Sequence, residues 1–583
     1  MSIKSIFFLF LIPSGLLSLP LYNPLPKILL NPRDCPLNAC EVIKIFAEHL
    51  FNAKIFEAIN KNQNRFQPAT RIDASTEDLL NVQQWERQRE LETRLLEVER
   101  RLRSVEQPIW KINSASVDAW DRCTEGICRC HATIKSLSCW RSDLLHLPPL
   151  QVIPMNMMKI DLSANRLSTL NKDSFKRLTH LVELDISSNQ LDYLPFDVFE
   201  DQDSLEILRL QKNKIELFDY RLFLKLRNLV ILDASDNQIH SLPENLFDSI
   251  RKVTAINLSH NKIENFPSNL LRESTDLEEF DISKNKIKEL KATTFDRLTK
   301  LRHLILSENQ IEKIDEEVFH HQISLEKLVL YGNRLKFIPD KLFVNLTSLL
   351  KLDLHRNLIS KISSNAFLAL TKLEDLNLGQ NNLATLAEGL FLAMKCLKKL
   401  TLFSNNFTRL EKNAFNGLEN VSNLLLNNNN LKDFDNEVFV PLKNLAKLRL
   451  DSNKLMFLPS KSLDHNPKLL SVKLGKNPWH CDCRAIYLAR WLRVNGTKLW
   501  DGEPTCRGPG ELSGQSLITL RFIHICEGQW AAMVSLSPRL PIRKQSITGQ
   551  FEEQPDFLWF LDSTTEKMSP SSTTSDTPVY EDY

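Results

Sequence analysis

Cysteine is the residue type with the clearest chemistry in this 583-residue sequence, because eleven cysteines can form disulfides or bind a metal. Eight of them form two groups of four that flank a long cysteine-poor region, namely Cys123, Cys128, Cys130 and Cys139, then Cys481, Cys483, Cys506 and Cys526. Four cysteines allow three pairings within each group. Zinc binding is the alternative, and an oxidising compartment would favour disulfides over it.

Catalytic patterns are not evident elsewhere. The sequence has no nucleophile elbow, no phosphate-binding loop and no clustered His/Glu metal spacing. We therefore predict that the protein is not an enzyme and needs no cofactor and no metal. A formal net charge of +2 also argues against a nucleic-acid partner, which normally requires a basic excess.

The first residues indicate the compartment. Residues 1–18 combine Lys4 with an apolar stretch from Ile6 to Leu17, which predicts a signal peptide; a cytosolic chain with an apolar start is the alternative. The rest of the sequence has no apolar run long enough to span a membrane. We expect a secreted protein of the extracellular space or matrix. Five Asn-x-Ser/Thr sequons predict glycosylation at Asn257, Asn345, Asn406, Asn420 and Asn495.

The elements that must position these groups follow from a repeat of 24 residues. Asn recurs at this interval fourteen times from Asn165 to Asn477, within frames such as "LVELDISSNQL" at 181–191. A Phe lies ten residues after eleven of these Asn, and Leu271 and Leu463 take its place in two further repeats. The alternating leucines predict one short parallel strand per repeat, stacked into a solenoid. The Asn amides are predicted to bond backbone groups at turns, and the 14 glycines suggest that positive φ angles are rare.

These motifs resemble the extracellular leucine-rich repeat (LRR) family, in its typical 24-residue subtype. The resemblance implies an α/β fold, a curved horseshoe solenoid with parallel strands on its concave face. Fourteen repeats in 151–477 would lie between cysteine-rich caps at 123–150 and 478–526. The disulfides that the resemblance implies are Cys123–Cys130, Cys128–Cys139, Cys481–Cys506 and Cys483–Cys526.

Three cysteines remain outside the caps. Cys35 and Cys40 could close a small loop in the N-terminal extension, residues 19–75. For Cys396, next to the strand residue Leu397, we expect a buried free thiol. A disulfide to a second chain is the alternative.

Residues 76–106 are predicted to form a helix. Apolar residues within it step by four and three, as in a coiled coil: Leu91, Leu95, Val98, Leu102 and Val105. Homo-oligomerisation through residues 77–106 and folding of a single helix back onto the solenoid are both compatible with this pattern. Residues 527–583, rich in Ser, Thr, Pro and acids, are predicted to be disordered; Tyr580 and Tyr583 lie among acids, as sulfated tyrosines often do.

The concave face is the predicted binding surface, formed by the residues six, four and two positions before each repeat Asn. Its early repeats are acidic, with Asp161, Glu183, Asp185, Asp233, Glu279 and Asp281. Its late repeats are basic, with Lys399, Lys447, Arg449 and Lys473. Opposite charges at the two ends would orient a partner. A glycan on Asn257 would block the early repeats.

A central patch of apolar side chains with a charged rim is the predicted contact site. It consists of His303, Ile305, Lys327, Val329, Tyr331, Lys351, Asp353 and His355, and Phe403 and Leu425 form a second pair. Such a composition is typical of binding hot spots, although these apolar residues could merely cover one another. The prediction is a secreted protein that binds an extracellular protein ligand in matrix or adhesion. A non-catalytic carrier or regulatory subunit, of the acid-labile-subunit type, and an innate-recognition LRR protein are the alternatives.

Overall fold

A computed structural model describes residues 74–526. The predicted signal peptide, Cys35, Cys40 and the segment 527–583 lie outside the described residues. The chain divides into two compact units, residues 1–106 and 107–583. Within the first unit, helix α1 (Ala74–Val105) is 32 residues long.

Helix α1 has an ion pair and exposed apolar side chains on its surface. An ion pair joins Arg94 Nη2 to Glu90 Oε1 at 2.6 Å, one turn apart. Leu91 and Leu95 on the predicted coiled-coil line are 66% and 68% exposed. Association through this helix stays a prediction.

The second unit is built on a sheet of sixteen short strands. The first two are an antiparallel hairpin, β2 (Arg129–His131) and β3 (Ser136–Ser138), and the others are parallel, one from each repeat. The repeat strands are β5 (Lys159–Asp161), β6 (Glu183–Asp185), β7 (Ile207–Arg209), β8 (Ile231–Asp233), β9 (Ala255–Asn257), β10 (Glu279–Asp281), β12 (His303–Ile305), β14 (Lys327–Val329), β16 (Lys351–Asp353), β18 (Asp375–Asn377), β19 (Lys399–Thr401), β21 (Asn423–Leu425), β23 (Lys447–Arg449) and β24 (Ser471–Lys473).

Smaller elements complete the unit. Three pairs of two-residue strands lie outside the main sheet, namely β11 (Glu289–Leu290) with β13 (Lys313–Ile314), β15 (Phe337–Ile338) with β17 (Lys361–Ile362), and β20 (Arg409–Leu410) with β22 (Asp433–Phe434). The N-terminal end has β1 (Lys111–Asn113), α2 (Val117–Thr124) and β4 (Val152–Pro154); the C-terminal end has α3 (Ile486–Asn495) and α4 (Phe522–Ile525). The predicted fourteen-repeat solenoid is confirmed.

The repeat Asn side chains form the predicted ladder of hydrogen bonds. Asn309, which is buried, accepts from the backbone N–H of Ile287 in the preceding repeat at 3.1 Å. Its amide donates to the carbonyls of Ile282 at 3.0 Å and Leu306 at 3.2 Å. One side chain therefore satisfies backbone groups of two repeats that would otherwise be buried without partners.

The Phe column is buried and stacked inside the solenoid. Phe295, Phe319 and Phe343 are at most 1% exposed, and their ring centroids are 6.2 and 6.4 Å apart in sequence order. The replacements Leu271 and Leu463 are buried at the same position. The Phe column is therefore part of the core.

The expectation that positive φ angles would be rare is wrong. The residue before the repeat Asn has a positive φ in all fourteen repeats, for example Lys284 at 53° and Glu308 at 51°, and only Gly332 is a glycine. A left-handed residue without glycine costs about 1–2 kcal/mol. The hydrogen bonds of the repeat Asn hold each turn against its own repeat and the preceding one. Each repeat therefore tolerates this cost.

All four implied disulfides are present: Cys123–Cys130, Cys128–Cys139, Cys481–Cys506 and Cys483–Cys526. The packed N-terminal structure begins upstream of the first of these cysteines, which sequence analysis missed. Strand β1 pairs with β4, and buried Trp110 stacks edge-on against Phe175 and donates to the Ser174 carbonyl at 2.5 Å. Trp110 therefore covers the first member of the Phe column.

Candidate binding surface

Strand geometry places two residues of each three-residue strand on the concave face. In β12, β14 and β16 the middle leucines are fully buried, whereas the flanking residues point to the opposite side of the sheet. The parallel register aligns the residues of the central patch in two rows, one with His303, Lys327 and Lys351 and one with Ile305, Val329 and Asp353. The structure thus brings these six predicted residues together.

Two aromatic rings form the centre of the patch. The rings of Tyr331 and His355 stack with centroids 4.6 Å apart and an angle of 16° between their planes. The Tyr331 hydroxyl donates to Glu308 Oε1 at 2.6 Å, and Asp353 Oδ1 lies 2.7 Å from His355 Nδ1. Two carboxylates therefore hold a half-buried aromatic pair in one orientation, and the four residues come from three consecutive repeats.

The acidic partner also affects the phenol. The hydrogen bond to Glu308, followed by burial, raises the pKa of Tyr331 above its usual value. The hydroxyl stays protonated through the physiological range, where it can donate only one hydrogen bond at a time. Because Glu308 takes that bond, a partner would contact the hydroxyl oxygen only as an acceptor, together with the ring edge and the ring face that His355 does not cover.

Val329 corrects the prediction of an exposed apolar residue. It is only 6% exposed, whereas its neighbour Ile305 is half-buried. Its short side chain lies in the row between Ile305 and Asp353. Val329 therefore supports the patch from within and offers little contact area.

The two patch histidines serve separate carboxylates. His303 Nδ1 lies 2.9 Å from Glu279 Oε1 in the preceding repeat, while His355 contacts Asp353 of its own repeat. The structure does not bring the two imidazoles together. No group of three or more His, Cys, Asp or Glu within residues 74–526 could hold a metal ion.

Phe403 extends the aromatic surface by two repeats. Gly379 occupies the equivalent position in the repeat between His355 and Phe403, and a Cβ there would lie 2.5 Å from Phe403 Cε1. The missing side chain lets the Phe403 ring lie across the backbone of its neighbour. Leu425 is half-buried in the next repeat, where it aligns with Thr401 and Arg449.

The predicted acidic side of the face is largely occupied by internal bonds. Glu183 contacts both Lys159 and Arg209, and Asp185 accepts from the Ser187 backbone N–H at 2.8 Å. The backbone N–H two residues later also donates to the carboxylates of Asp161, Asp233 and Asp281. These aspartates brace their own turns, so the early acidity is less available to a partner than the sequence suggested.

An aromatic residue at the basic end of the face was missed by sequence analysis. Trp500 is 56% exposed, and the ammonium groups of Lys447 and Lys473 lie 3.8 and 4.3 Å from its ring centroid. The backbone N–H of Trp500 donates to the Val472 carbonyl at 3.1 Å, which joins this segment to the last strand. Nothing in the repeat pattern locates Trp500, because it comes from the irregular chain after α3.

Two further positions complete the predicted sites. Cys396 is exposed with a free thiol, so the expected buried thiol is wrong. It precedes the buried Leu397 and lies outside the strand itself, where the chain turns toward solvent. Among the sequons, Asn406 and Asn420 are exposed, while Asn257, Asn345 and Asn495 are half-buried.

In the part of the chain that the structure describes, no helix is sufficiently long and apolar to cross a membrane. Comparison with family models identifies the description "Leucine rich repeat" at residues 155–215, 203–263, 275–335, 323–383 and 395–455. These segments lie within the fourteen repeats.

Similar curated proteins match over short segments. Carboxypeptidase N subunit 2 of Mus musculus is 36% identical over 63 residues, which is 11% of this chain and 12% of that protein. SLIT and NTRK-like protein 5 of Homo sapiens is 31% identical over 103 residues, 18% of this chain and 10% of that protein. The human platelet glycoprotein Ib beta chain is 38% identical over 63 residues, 11% of this chain and 31% of that protein. The matches thus span less than a third of each relative.

A similar solved structure is a chain of the glycosylated Toll–Spatzle complex of Drosophila. It has a TM-score of 0.53 and 25% identity, and the match covers 64% of this chain and 55% of that chain.

Proposed function

Because the chain belongs to the leucine-rich repeat family, with disulfide-closed ends, we propose that it is a secreted protein that binds another extracellular protein through its concave face. The observation that carries the proposal is the Tyr331–His355 ring pair, held at the centre of the face by Glu308 and Asp353. Rigid aromatic side chains with charged neighbours supply most of the binding energy in many protein interfaces.

The central patch and Phe403 together provide the proposed contact surface. Lys327, Lys351 and His303 surround the aromatic pair and would form the polar rim. The repeats add only a small rotation each, so several consecutive repeats can contact one partner. Matrix or adhesion ligands are the proposed class, and segments of SLIT and NTRK-like protein 5 and of the platelet glycoprotein Ib beta chain are similar to this chain. The similar solved chain belongs to the Toll–Spatzle complex, in which one protein assembles with another.

Secretion and glycosylation belong to the same proposal. The disulfides at both ends fit an oxidising compartment, and Asn406 and Asn420 are sequons with exposed side chains. Enzymatic removal of N-glycans from protein secreted by cultured cells should lower its mass at these sites. An unchanged mass would contradict the glycosylation part of the proposal.

The test of binding compares two surfaces of the same repeats. The double variant Tyr331→Ala/Phe403→Ala removes the concave aromatics, whereas Phe337→Ala removes a 46% exposed ring of the small sheet β15–β17. Proximity labelling by the tagged secreted chain on cell surfaces and matrix, read by mass spectrometry, should recover the same proteins with wild type and Phe337→Ala. The double variant should lose them. Identical protein sets from all three chains would contradict a concave-face site.

A role as a regulatory or carrier subunit is the second candidate. The similarity to carboxypeptidase N subunit 2, a component of a larger enzyme assembly by its name, favours it. When extracellular fluid is separated by gel filtration, a subunit would elute in a stoichiometric complex with one other protein. A matrix ligand-binder would instead elute free or remain with the insoluble matrix.

A further inference from the structure

The basic end of the concave face contains a second aromatic site, which we define as Lys447, Lys473 and Trp500. An isolated parallel bridge between Val472 and Leu499 adds the chain after α3 to the edge of strand β24. Asp501 then accepts from the Gly475 backbone N–H at 2.8 Å. These bonds on either side of Trp500 fix its indole beside the last two repeat strands.

The positive charges of the two lysines of this basic site are available to a ligand. Among the described residues, no carboxylate lies within 4.0 Å of either ammonium group, whereas the adjacent Arg449 is paired with Asp451 at 2.8 Å. The indole faces both ammonium groups but carries no charge that could neutralise them. Asp501 is the remaining nearby acid, and its carboxylate is engaged by backbone N–H groups.

The chemistry of this site fits an acidic segment with aromatic residues. Carboxylates would pair with the two ammonium groups, and a ring would cover the indole, 56% of which is exposed. This chain itself contains such a segment at 552–583, with eight acids, one lysine and five aromatic residues: Phe557, Trp559, Phe560, Tyr580 and Tyr583.

The distance along the chain permits the contact. The segment follows Cys526, which is bonded to Cys483 in the same cap as Trp500, after 25 intervening residues. Fully extended, these residues could span up to roughly 85 Å. Neighbouring strands of the last repeats lie only about 4.8 Å apart. The linker is therefore long enough to reach the basic site from any side of the cap.

We propose that residues 552–583 bind in cis to the basic site formed by Lys447, Lys473 and Trp500. The inference is independent of the proposed function, because the central patch lies several repeats away. The bound segment occupies the late concave face and must be displaced by any external ligand that uses those repeats. Its affinity decreases with ionic strength, since charge pairing at an exposed site is screened by salt.

Zero-length carbodiimide cross-linking of the full chain tests the proposal, because it joins only amines and carboxylates already in contact. Lys313 and Lys361 of the small strands β13 and β17 are internal references for random encounters. At low salt, Lys447 and Lys473 should link to acids of 552–583 about tenfold more than the references do, because a bound segment has a high effective concentration. Equal yields at all four lysines would overturn the proposal.

Variants and isotope mixing complete the test. Trp500→Ala should reduce the specific cross-links severalfold although both lysines remain, and 0.5 M salt should abolish them. Circular dichroism and thermal unfolding of the variant confirm that the cap is folded. In an equimolar mixture of light and heavy-isotope chains, cross-links should join segments of the same chain. Mixed light–heavy cross-links would contradict the cis arrangement.

Discussion

The interior of the solenoid and its concave face use the same 24-residue period differently. Inside, Asn309 and Phe319 make the same contacts as their equivalents in other repeats. On the face, equivalent positions hold Ser307, Tyr331, His355, Gly379 and Phe403 in successive repeats. The interior therefore determines stability, and the face is free to vary with the ligand. Four substitutions test this division.

The largest stability effect is expected for the Phe column. Phe319→Ala should lower the free energy of unfolding by about 3–5 kcal/mol, because it leaves a cavity between Phe295 and Phe343. Urea denaturation monitored by circular dichroism measures the loss. The exposed Phe337→Ala is the matched control and should cost about 1 kcal/mol or less. Equal losses would mean that the column does not dominate the core.

The Asn ladder should show the next largest effect. Asn309→Ala removes one accepted and three donated hydrogen bonds and leaves buried backbone groups of two repeats unsatisfied. We expect a loss of about 2–4 kcal/mol. Asn382→Ala, at an exposed position with one long bond to the Leu358 carbonyl, is the control. Hydrogen exchange should show the opening localised around β10 and β12; uniform protection would argue against the ladder.

The concave aromatics should affect binding much more than stability. Tyr331→Ala breaks a stack with His355 on a half-buried surface, for which we expect about 1 kcal/mol of destabilisation. For a partner recovered by labelling, affinity should fall roughly 30-fold or more, as for central aromatic anchors. Calorimetric titration and a melting curve on the same preparation separate the two effects.

The smallest effect concerns the acidic end of the face. Burial alone would raise the pKa of Glu183, but hydrogen bonds from Arg209 and Lys159 lower it below its usual value. A lowered pKa contributes stability that is complete above the unfolded value of about 4.3 and is lost as pH falls through the folded value. Glu183→Gln should cost about 1 kcal/mol or less at pH 7.

That difference in unfolding free energy should disappear in acid. The variant and wild type should converge as the pH falls below about 4, since the protonated Glu183 no longer differs in charge from Gln. A gap that stays constant down to pH 3 would contradict the ion-pair explanation. Glu244→Gln is the matched control, because it makes the same chemical change at a residue outside the strands.

Sequence predicted the interior because its contacts recur. The Asn column, the Phe column and the four disulfides all follow from spacing or from family resemblance, and the structure contains each of them. The positive φ at Lys284 and its equivalents was missed because glycine content is a poor guide when hydrogen bonds enforce the turn. The burial of Val329 and the position of Trp500 depend on three-dimensional neighbours that no period encodes.

The most direct test of this division measures stability and binding for the same pair of variants. Phe319→Leu introduces the residue that the column already accepts at Leu271 and Leu463, and Tyr331→Ala changes only the face. We predict that Phe319→Leu lowers the free energy of unfolding and leaves unchanged the affinity for a partner recovered by proximity labelling. Tyr331→Ala should lower that affinity strongly and should lower the free energy of unfolding by no more than about 1 kcal/mol. If Tyr331→Ala destabilises the protein as much as Phe319→Leu does, or leaves binding intact, the division between a stabilising interior and a binding face is contradicted.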